Sequence, residues 1–529
     1  MAGDFLARFS YHPQVAGSCP ANEPARSLIR TGAMRTGSAF KEAFRLPTAW
    51  HKDYPTETAA PVPGGGDVPA DHKAGDIPSG SPAIESGRAN SGVTTRASGA
   101  AWHTPYVNAL RSPWVVLAVL IVAGLVLRYF LAPLGRMPFD FIVFGSWSYT
   151  LTNEPLASFY AIAYVPLHLP GSLWFLWFVA HAYAAVTPGS DFSADTYLLY
   201  LKTVPFLADI GIAVLLFVLA SRSGKTVPGL WVAGAYLLNP ATLFVSATWG
   251  QWDSLSAFFA LAAIVALFSN RVGLSVPSLA LACLIKPQFV LLAPIVLIYA
   301  LRRYGPSWSV PRLLLGGAAS GVMATLLLLP FSVSVWLLPT TWTLWDRVKL
   351  PLEFWPLTTV RAANVWSFSP GAELAGPDAV SWGFLTYQHL GTVLVLACYA
   401  FILIVLATCT RNDLELMTLW SAYCATFALF MLATRVHERY LLPSIVFLTA
   451  LLLYTRFAAV VLAVLTVTFL ANLIWVFDIE NAGMDWRWLN SDLAVRALSG
   501  VNLVLLIVSL LMPLLRRDVR WRTSATTAA

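Results

Sequence analysis

Trp114 to Leu131 reads WVVLAVLIVAGLVLRYFL, and Phe457 to Phe477 reads FAAVVLAVLTVTFLANLIWVF. At ~1.5 Å per residue, apolar runs of ~18–25 residues are long enough to cross ~30 Å of hydrocarbon as helices. Lipid offers the backbone no hydrogen-bond partner, so a crossing segment must close its bonds within itself. Runs of this kind recur along most of the chain, and they decide the fold class: an all-α, polytopic transmembrane helical bundle.

The composition agrees. Of 529 residues, 57% are hydrophobic and only 12% charged, about half the charge of an ordinary soluble domain. A water-soluble globule is excluded. The 21 Trp and 18 Tyr suit interfacial belts. The net charge of +7 does not point to nucleic acid, because many basic residues lie in short loops beside apolar runs, where they set orientation. Five Cys, among them Cys283, Cys398, Cys409 and Cys424 in or beside apolar runs, show neither CxxC nor metal-ligand spacing.

Residues 1–108 stand apart. Between Ala59 and Ala101 they are dominated by Ala, Pro, Gly and Ser without an apolar period, the composition of a disordered tail. No small-residue cleavage site follows the run at Trp114, so that run is expected to be a retained first span. The transmembrane domain is expected over 109–522, with a short C-terminal tail at 523–529.

The spans expected are about twelve: 113–132, 199–220, 229–248, 252–269, 273–286, 288–303, 312–336, 388–410, 413–433, 440–455, 457–477 and 492–515. Alternate loops carry Arg222 and Lys225, Arg271, Arg302 with Arg303 and Arg312, Arg411, Arg456, and Arg516, Arg517, Arg520 and Arg522. Lys and Arg are retained on the cytoplasmic side, which places those loops and both termini there. The alternation then requires Pro166 to Val186 not to cross as a single span. It belongs to one large extracytoplasmic loop, 133–198, as a short or re-entrant helix, and Pro166, Pro170 and Gly171 suggest that this helix is broken.

This topology sorts the unusual residues onto the outer face. Asp140, in Pro138-Phe139-Asp140-Phe141, can act as a general base toward a hydroxyl, or it is a solvated loop carboxylate. Lys202 and Asp209 lie seven apart on one helix face, and an intramembrane ionisable pair faces a bundle interior or a wet cavity. Either a structural or a catalytic role fits them. Gly250-Gln251-Trp252-Asp253 opens the next span. Asp253 can cap that helix, while the Gln251 amide and the Trp252 ring suit a sugar. Lys286-Pro287 ends one apolar run, and Arg435, His437 and Arg439, with Glu438, cluster at another outer helix end. These cations either snorkel to headgroups or grip a phosphate. No HExxH or DxD pattern completes a metal site around His437 and Glu438. No cofactor is expected, although a divalent metal stays open.

Taken in order, these elements resemble the GT-C superfamily of membrane glycosyltransferases. The resemblance rests on the acid of the first outer loop, the Lys202/Asp209 span, Asn239-Pro240 ahead of Trp249-Gly250-Gln251-Trp252-Asp253-Ser254, Lys286-Pro287-Gln288, and His437-Glu438-Arg439-Tyr440-Leu441-Leu442-Pro443. The GQWDS and HERYLLP stretches look like bacterial relatives of the second mannosyltransferase of GPI-anchor synthesis. Arg361-Ala362-Ala363-Asn364-Val365-Trp366 and Val436-His437-Glu438 are similar to stretches of the dolichyl-phosphate-glucose-dependent glucosyltransferases. The likeness covers about 130–445. It departs from the family at Phe139-Asp140-Phe141, where some members carry two acids, and at Ala163-Tyr164-Val165-Pro166, where many read Asp-Tyr-Pro-Pro.

The resemblance implies a polyprenyl-phosphate-hexose donor, mannose or glucose, used on the extracytoplasmic side with inversion, and a lipid or glycan acceptor. The setting it implies is a bacterial cell membrane with the site facing outward. On this reading Asp140 is the base, Arg435, His437, Arg439 or Arg361 stabilises the departing phosphate, and Gln251, Trp252, Asp253, Lys286, Asn364 and Glu438 contact substrate. The competing reading is a transporter or lipid-linked-sugar flippase with Lys202 and Asp209 as an intramembrane relay.

The topology generates a direct test. A cysteine placed between Thr187 and Ser193 is expected to react with a membrane-impermeant thiol reagent from outside the cell only. Labelling from the cytoplasmic side alone would overturn the assignment of this loop.

Overall fold

The computed structural model describes residues 112–515 apart from 188, 336–338, 370–374 and 482–491. The tail reading for 1–108, the basic cluster at 516–522 and the tail at 523–529 lie outside the described residues. The described chain is helical almost throughout. Its helices are α1 Pro113–Leu131, α2 Pro138–Asn153, α3 Phe159–Ile162, α4 Pro170–Val186, α5 Asp195–Arg222, α6 Thr226–Leu237, α7 Pro240–Leu243, α8 Asp253–Phe268, α9 Val272–Ile285, α10 Leu292–Tyr304, α11 Pro306–Leu328, α12 Leu344–Phe354, α13 Tyr387–Thr408, α14 Leu414–Leu432, α15 Leu442–Leu451, α16 Phe457–Asn481 and α17 Asp492–Leu515. Three strand pairs add short clasps: β1 Val333–Ser334 beside β2 Trp342–Thr343, β3 Thr359–Val360 beside β6 Val436–His437, and β4 Val380–Trp382 against β5 Leu385–Thr386.

Among the described residues, seven helices are long and apolar enough to cross a membrane, and α6 with the α7 unit makes an eighth if that pair, bent by 46°, is one span. Twelve spans are therefore not reached by length. Each of the twelve expected stretches contains helix, but four of them resolve into short helices: α8 with 16 residues, α9 with 14, α10 with 13 and α15 with 10. The cause is visible at their ends. Pro287 opens a 3-10 turn before α10 and another 3-10 turn, Glu438–Leu441, precedes α15, so an apolar window counts more residues than the helix contains.

These short helices hold the functional end of the bundle. The long α5 and the short α8 finish together, where Arg222 donates to the carbonyl of Phe268. At the other end the start of α8 reaches only as far as Leu201, whose carbonyl accepts from Trp252 Nε1 at 3.1 Å. Helix α5 begins six residues earlier, at Asp195. The start of α8 is thus recessed by about 9 Å below the tip of its neighbour.

Helix α4, in the stretch 166–186, is continuous rather than broken. Pro170 occupies its first turn, where the missing N–H costs nothing. Gly171 is demanded by packing, since a Cβ there would stand 2.5 Å from the Leu284 carbonyl oxygen at the end of α9. Trp174 Nε1 donates to Leu327 O at the end of α11 at 3.0 Å, and Tyr183 OH shares a hydrogen bond of 3.1 Å with Thr196 in the first turn of α5. Both ends of α4 therefore meet the same end of the bundle.

Deep in the bundle, Asp209 is buried and doubly satisfied: Arg128 Nε donates to Oδ2 at 3.0 Å and Tyr236 OH to Oδ1 at 2.8 Å. Arg128 is itself buried and donates to the carbonyls of Gly124 and Leu237. Lys202 does not touch this group. Its amine donates to the carbonyls of Ala132 at 2.7 Å, Gly135 at 2.6 Å and Thr248 at 2.9 Å.

Breaking a buried pair by removing one partner typically costs about 3–5 kcal/mol, because the other charge is stranded. Asp209→Leu and Arg128→Met are each expected to lower the unfolding temperature sharply in detergent, and the double variant to lose less than the sum of the two. Additive losses would show that the pair is not coupled.

Candidate functional site

Asp140 sits in the first turn of α2, which Pro138 opens, so its carboxylate lies at the positive end of the helix dipole. Oδ2 accepts from Trp249 Nε1 at 2.8 Å and from Gln251 Nε2. Oδ1 has no hydrogen-bond partner among the described residues, and Asp140 lines a cavity of about 380 Å³. The Trp249-Gly250-Gln251 turn can embrace Asp140 because Gly250 adopts φ +89°. A Cβ there would also come within 2.9 Å of Lys202 Cε.

The basic wall is assembled from distant segments. Strands β3 and β6 pair in parallel, Thr359 opposite Val436 and Val360 opposite His437, and a bridge joins Arg361 to His437. Arg435 and Arg361 are both held at positive φ, +62° and +58°, a backbone state that costs about 1–3 kcal/mol and persists only where the surroundings enforce it. The enforcement is polar. Arg435 N donates to Thr358 O at 3.0 Å, and Asn472 Nδ2 donates to Arg361 O at 2.9 Å while its Oδ1 accepts from Ala363 N. Asn502 Nδ2 donates to Ala363 O at 3.1 Å.

Two carboxylates stand behind this wall. Asp253 is buried and pairs with Lys286 Nζ, with Arg439 Nε 3.8 Å from its other oxygen. Glu438 accepts from Arg439 Nη1 at 3.0 Å, and burial raises its carboxyl above the ordinary value against the opposing pull of Arg439. Lys286 and Arg439 are thereby already partnered. Arg435 makes no ion pair among the described residues, and its Nε has no hydrogen-bond partner.

His437 is not the cation that the sequence suggests. Burial, followed by the nearby charges of Arg439 and Lys286, pushes its pKa well below 6.5. Its Nδ1 faces Arg439 Nη1 at 3.4 Å, and arginine can only donate, so the proton sits on Nε2. His437 therefore offers a neutral N–H donor.

The opposite wall is aromatic and was not legible in the sequence. His168 lies 4.8 Å from the Trp147 ring and 5.6 Å from Phe144, centroid to centroid. Burial, then Lys286 and Arg439, hold its pKa down to about 3. Trp355, just after α12, packs on Phe139 at 6.2 Å and on His437 at 5.2 Å, and Arg347 enters from the same helix. His168 and Arg347 lie in loop and short-helix segments whose sequence carries no marker. Arg128 did carry one, as the lone charge in an 18-residue apolar run.

Of the residues expected at the site, Asp140, Gln251, Lys286, Arg435, His437 and Arg439 line the cavity. Asp253 and Glu438 lie directly behind it as ion-pair partners, and Asp253 makes no helix cap, since the cap position is Trp252 and no side chain caps it. The remaining three do not line it. Trp252 is buried, with its indole N–H spent on Leu201 O and its ring against Phe144, so it offers no face to a sugar. Asn364 is buried as the cap of a 3-10 turn, its Oδ1 accepting from Trp366 N. Arg361 gives its backbone carbonyl to Asn472 and bridges to His437. Among the described residues no three His, Cys, Asp or Glu side chains converge as a metal site. No protein-family model matches the chain, and no curated protein matches it.

The two histidines give a pH dependence with a definite sign. A folded pKa below 6.5 means that the folded state binds fewer protons than the unfolded state in the interval between the two values. Stability is then full above about pH 6.5 and falls as the pH drops toward the folded value. The unfolding temperature is expected to fall between about pH 7 and pH 5, with a shallower slope in His437→Gln and in His168→Gln. An unaltered slope in both variants would show that neither imidazole is held neutral.

Proposed function

We propose that this membrane protein is a glycosyltransferase that moves a hexose, mannose or glucose, from a polyprenyl-phosphate-linked donor to an acceptor hydroxyl, with inversion at the anomeric carbon. The observation that carries the reading is the pairing, in one recessed cavity, of the open Asp140 carboxylate with the unpartnered Arg435 guanidinium. A base and an anion grip are what a direct displacement from a phosphate needs. Asp140 takes the proton of the acceptor hydroxyl, whose oxygen bonds to the anomeric carbon. The bond from that carbon to the phosphate oxygen breaks, and the lipid phosphate departs with the electron pair.

The phosphate is already a good leaving group, so it needs charge stabilisation more than a proton. Arg435 supplies it, because its charge is not spent on a carboxylate. Lys286 and Arg439 keep their positions through Asp253 and Glu438, and neutral His437 adds one N–H donor. A single displacement inverts the sugar. The cavity falls within the ~300–1,000 Å³ usual for small-molecule sites. We place the site on the extracytoplasmic face of a bacterial membrane, the side opposite the Arg-bearing loops. A carrier that relays charge between Lys202 and Asp209 is disfavoured, since each is held by its own fixed partners.

Transfer from a polyprenyl-phosphate-hexose by purified protein tests this. Asp140→Asn is expected to lose about 10²-fold or more in turnover with donor binding retained. Arg435→Gln is expected to weaken donor binding and slow transfer together. Transfer at the parental rate by Asp140→Asn would remove Asp140 from the role of base.

A further inference from the structure

Arg347 is buried at 7% exposure, yet it has no carboxylate partner among the described residues. It lies on α12 and lines the same cavity. Its guanidinium stands over the Trp342 ring at 4.0 Å and the Tyr160 ring at 4.8 Å. Aromatic faces attract the cation but take up no in-plane N–H. It makes no hydrogen bond or ion pair among the described residues, and its Nε is buried without an acceptor. The acid beside it is already engaged, because Asp346 closes the capping box of α12 with Thr343. A buried charge left in this state is costly unless a ligand completes it.

The position of Arg347 separates it from the wall that grips the donor. Arg347 lies in the first turn of α12 and Trp355 directly follows its last residue, Phe354, and it is Trp355 that touches His437 and Phe139. Eight residues of helix place Arg347 about 12 Å along the axis from that contact, next to Tyr160, whose OH donates to the His168 carbonyl at 2.7 Å. Among the described residues the cavity thus has two guanidiniums that lack a carboxylate, Arg435 in the turn before β6 and Arg347 in the first turn of α12.

We infer that Arg347 is a second oxyanion site, and that the group it binds is a phosphate or similar oxyanion carried by the acceptor. The word acceptor rests on the transfer reading; the anion site does not. A planar guanidinium braced by aromatic rings presents its N–H edge to two oxygens of one anion. An acceptor held there by its anion has its hydroxyl directed toward Asp140. The acceptor is then a phosphorylated or otherwise anionic lipid or glycan, and not a neutral sugar.

The test uses full-length protein in neutral-lipid nanodiscs and calorimetric titration with inorganic phosphate, alone and after saturation with a polyprenyl-phosphate-hexose. With donor in place, the wild type is expected to retain one phosphate site. Arg347→Met, which keeps the apolar stem between the rings, is expected to weaken that site about tenfold or more and to leave donor binding unchanged. Arg347→Lys keeps the charge but loses the fork, and it is expected to fall between the two. If Arg347→Met does not fold, the lysine variant alone decides, and parental affinity in it overturns the proposal. Donor-saturated wild type that binds no phosphate, or Arg347→Met with weakened donor binding, likewise overturns it, the latter assigning Arg347 to a second phosphate of the donor. Protein that binds no polyprenyl-phosphate-hexose but keeps Arg347-dependent phosphate binding would refute the transfer reading and leave the oxyanion site standing.

Discussion

The amine of Lys202 holds three chain segments together, and the geometry of the site follows from it. Carbonyls at helix ends need donors, and at membrane depth water is not available to supply them. Lysine has three donors and no acceptor, which matches the three carbonyls of Ala132, Gly135 and Thr248. Those carbonyls mark the end of α1, the approach to α2 and the turn before α8. Asp140 stands on α2 and is gripped by Trp249 and Gln251, the residues on either side of Gly250. One buried side chain thus sets where the carboxylate can be.

The charges around the cavity divide into those that position and those that remain to bind. Lys286 and Arg439 are committed to Asp253 and Glu438. Buried ion pairs of this kind are weak sources of stability, because desolvation offsets much of the attraction. Their effect here is geometric: they fix one wall without neutralising the other cations. Among the described residues, Arg435 and Arg347, on separate elements, are left without a carboxylate. The aromatic wall of Phe144, Trp147 and His168 in the same cavity carries no charge at neutral pH.

The depth of the site has the same kind of mechanical origin. Helix α8 is shorter than its neighbour α5 and starts about 9 Å below the tip of α5, and the 3-10 turns ahead of α10 and α15 bring Pro287, Gln288, Arg439 and Tyr440 to the cavity. A recessed site excludes bulk water and strengthens every interaction inside it. Helix α2 lines the cavity with Phe139, Asp140 and Val143, and of the two strained turns, at Arg361 and Arg435, the second lines it as well. Asn472 and Asn502 hold one of those turns from within α16 and α17, and the β3–β6 pairing ties both. Amides are costly to bury in a membrane bundle unless they are satisfied, and here the backbone of the wall satisfies them.

The sequence by itself determined the class of the molecule and grouped residues that the structure brings to one cavity. Apolar length dictates helices, because the backbone has no alternative in lipid, and the alternation of basic loops sorts Asp140, Gln251, Lys286 and the Arg435–Arg439 run to one end. The structure adds local detail: Asn239 caps α7 through its side chain, and Gly250 adopts positive φ in its turn. The number of long spans was not legible, since an apolar window cannot distinguish a helix from a 3-10 turn followed by a helix. Nor were the pairings. Asp253 with Lys286, Arg128 with Asp209, and Lys202 with three carbonyls depend on the depth and rotation of separate helices, which no local pattern encodes. Whether Trp252 faces a sugar or the core, whether His437 carries a charge, and which arginines stay unpaired were decided only by tertiary packing, because burial and neighbouring charge, not residue type, fix those states.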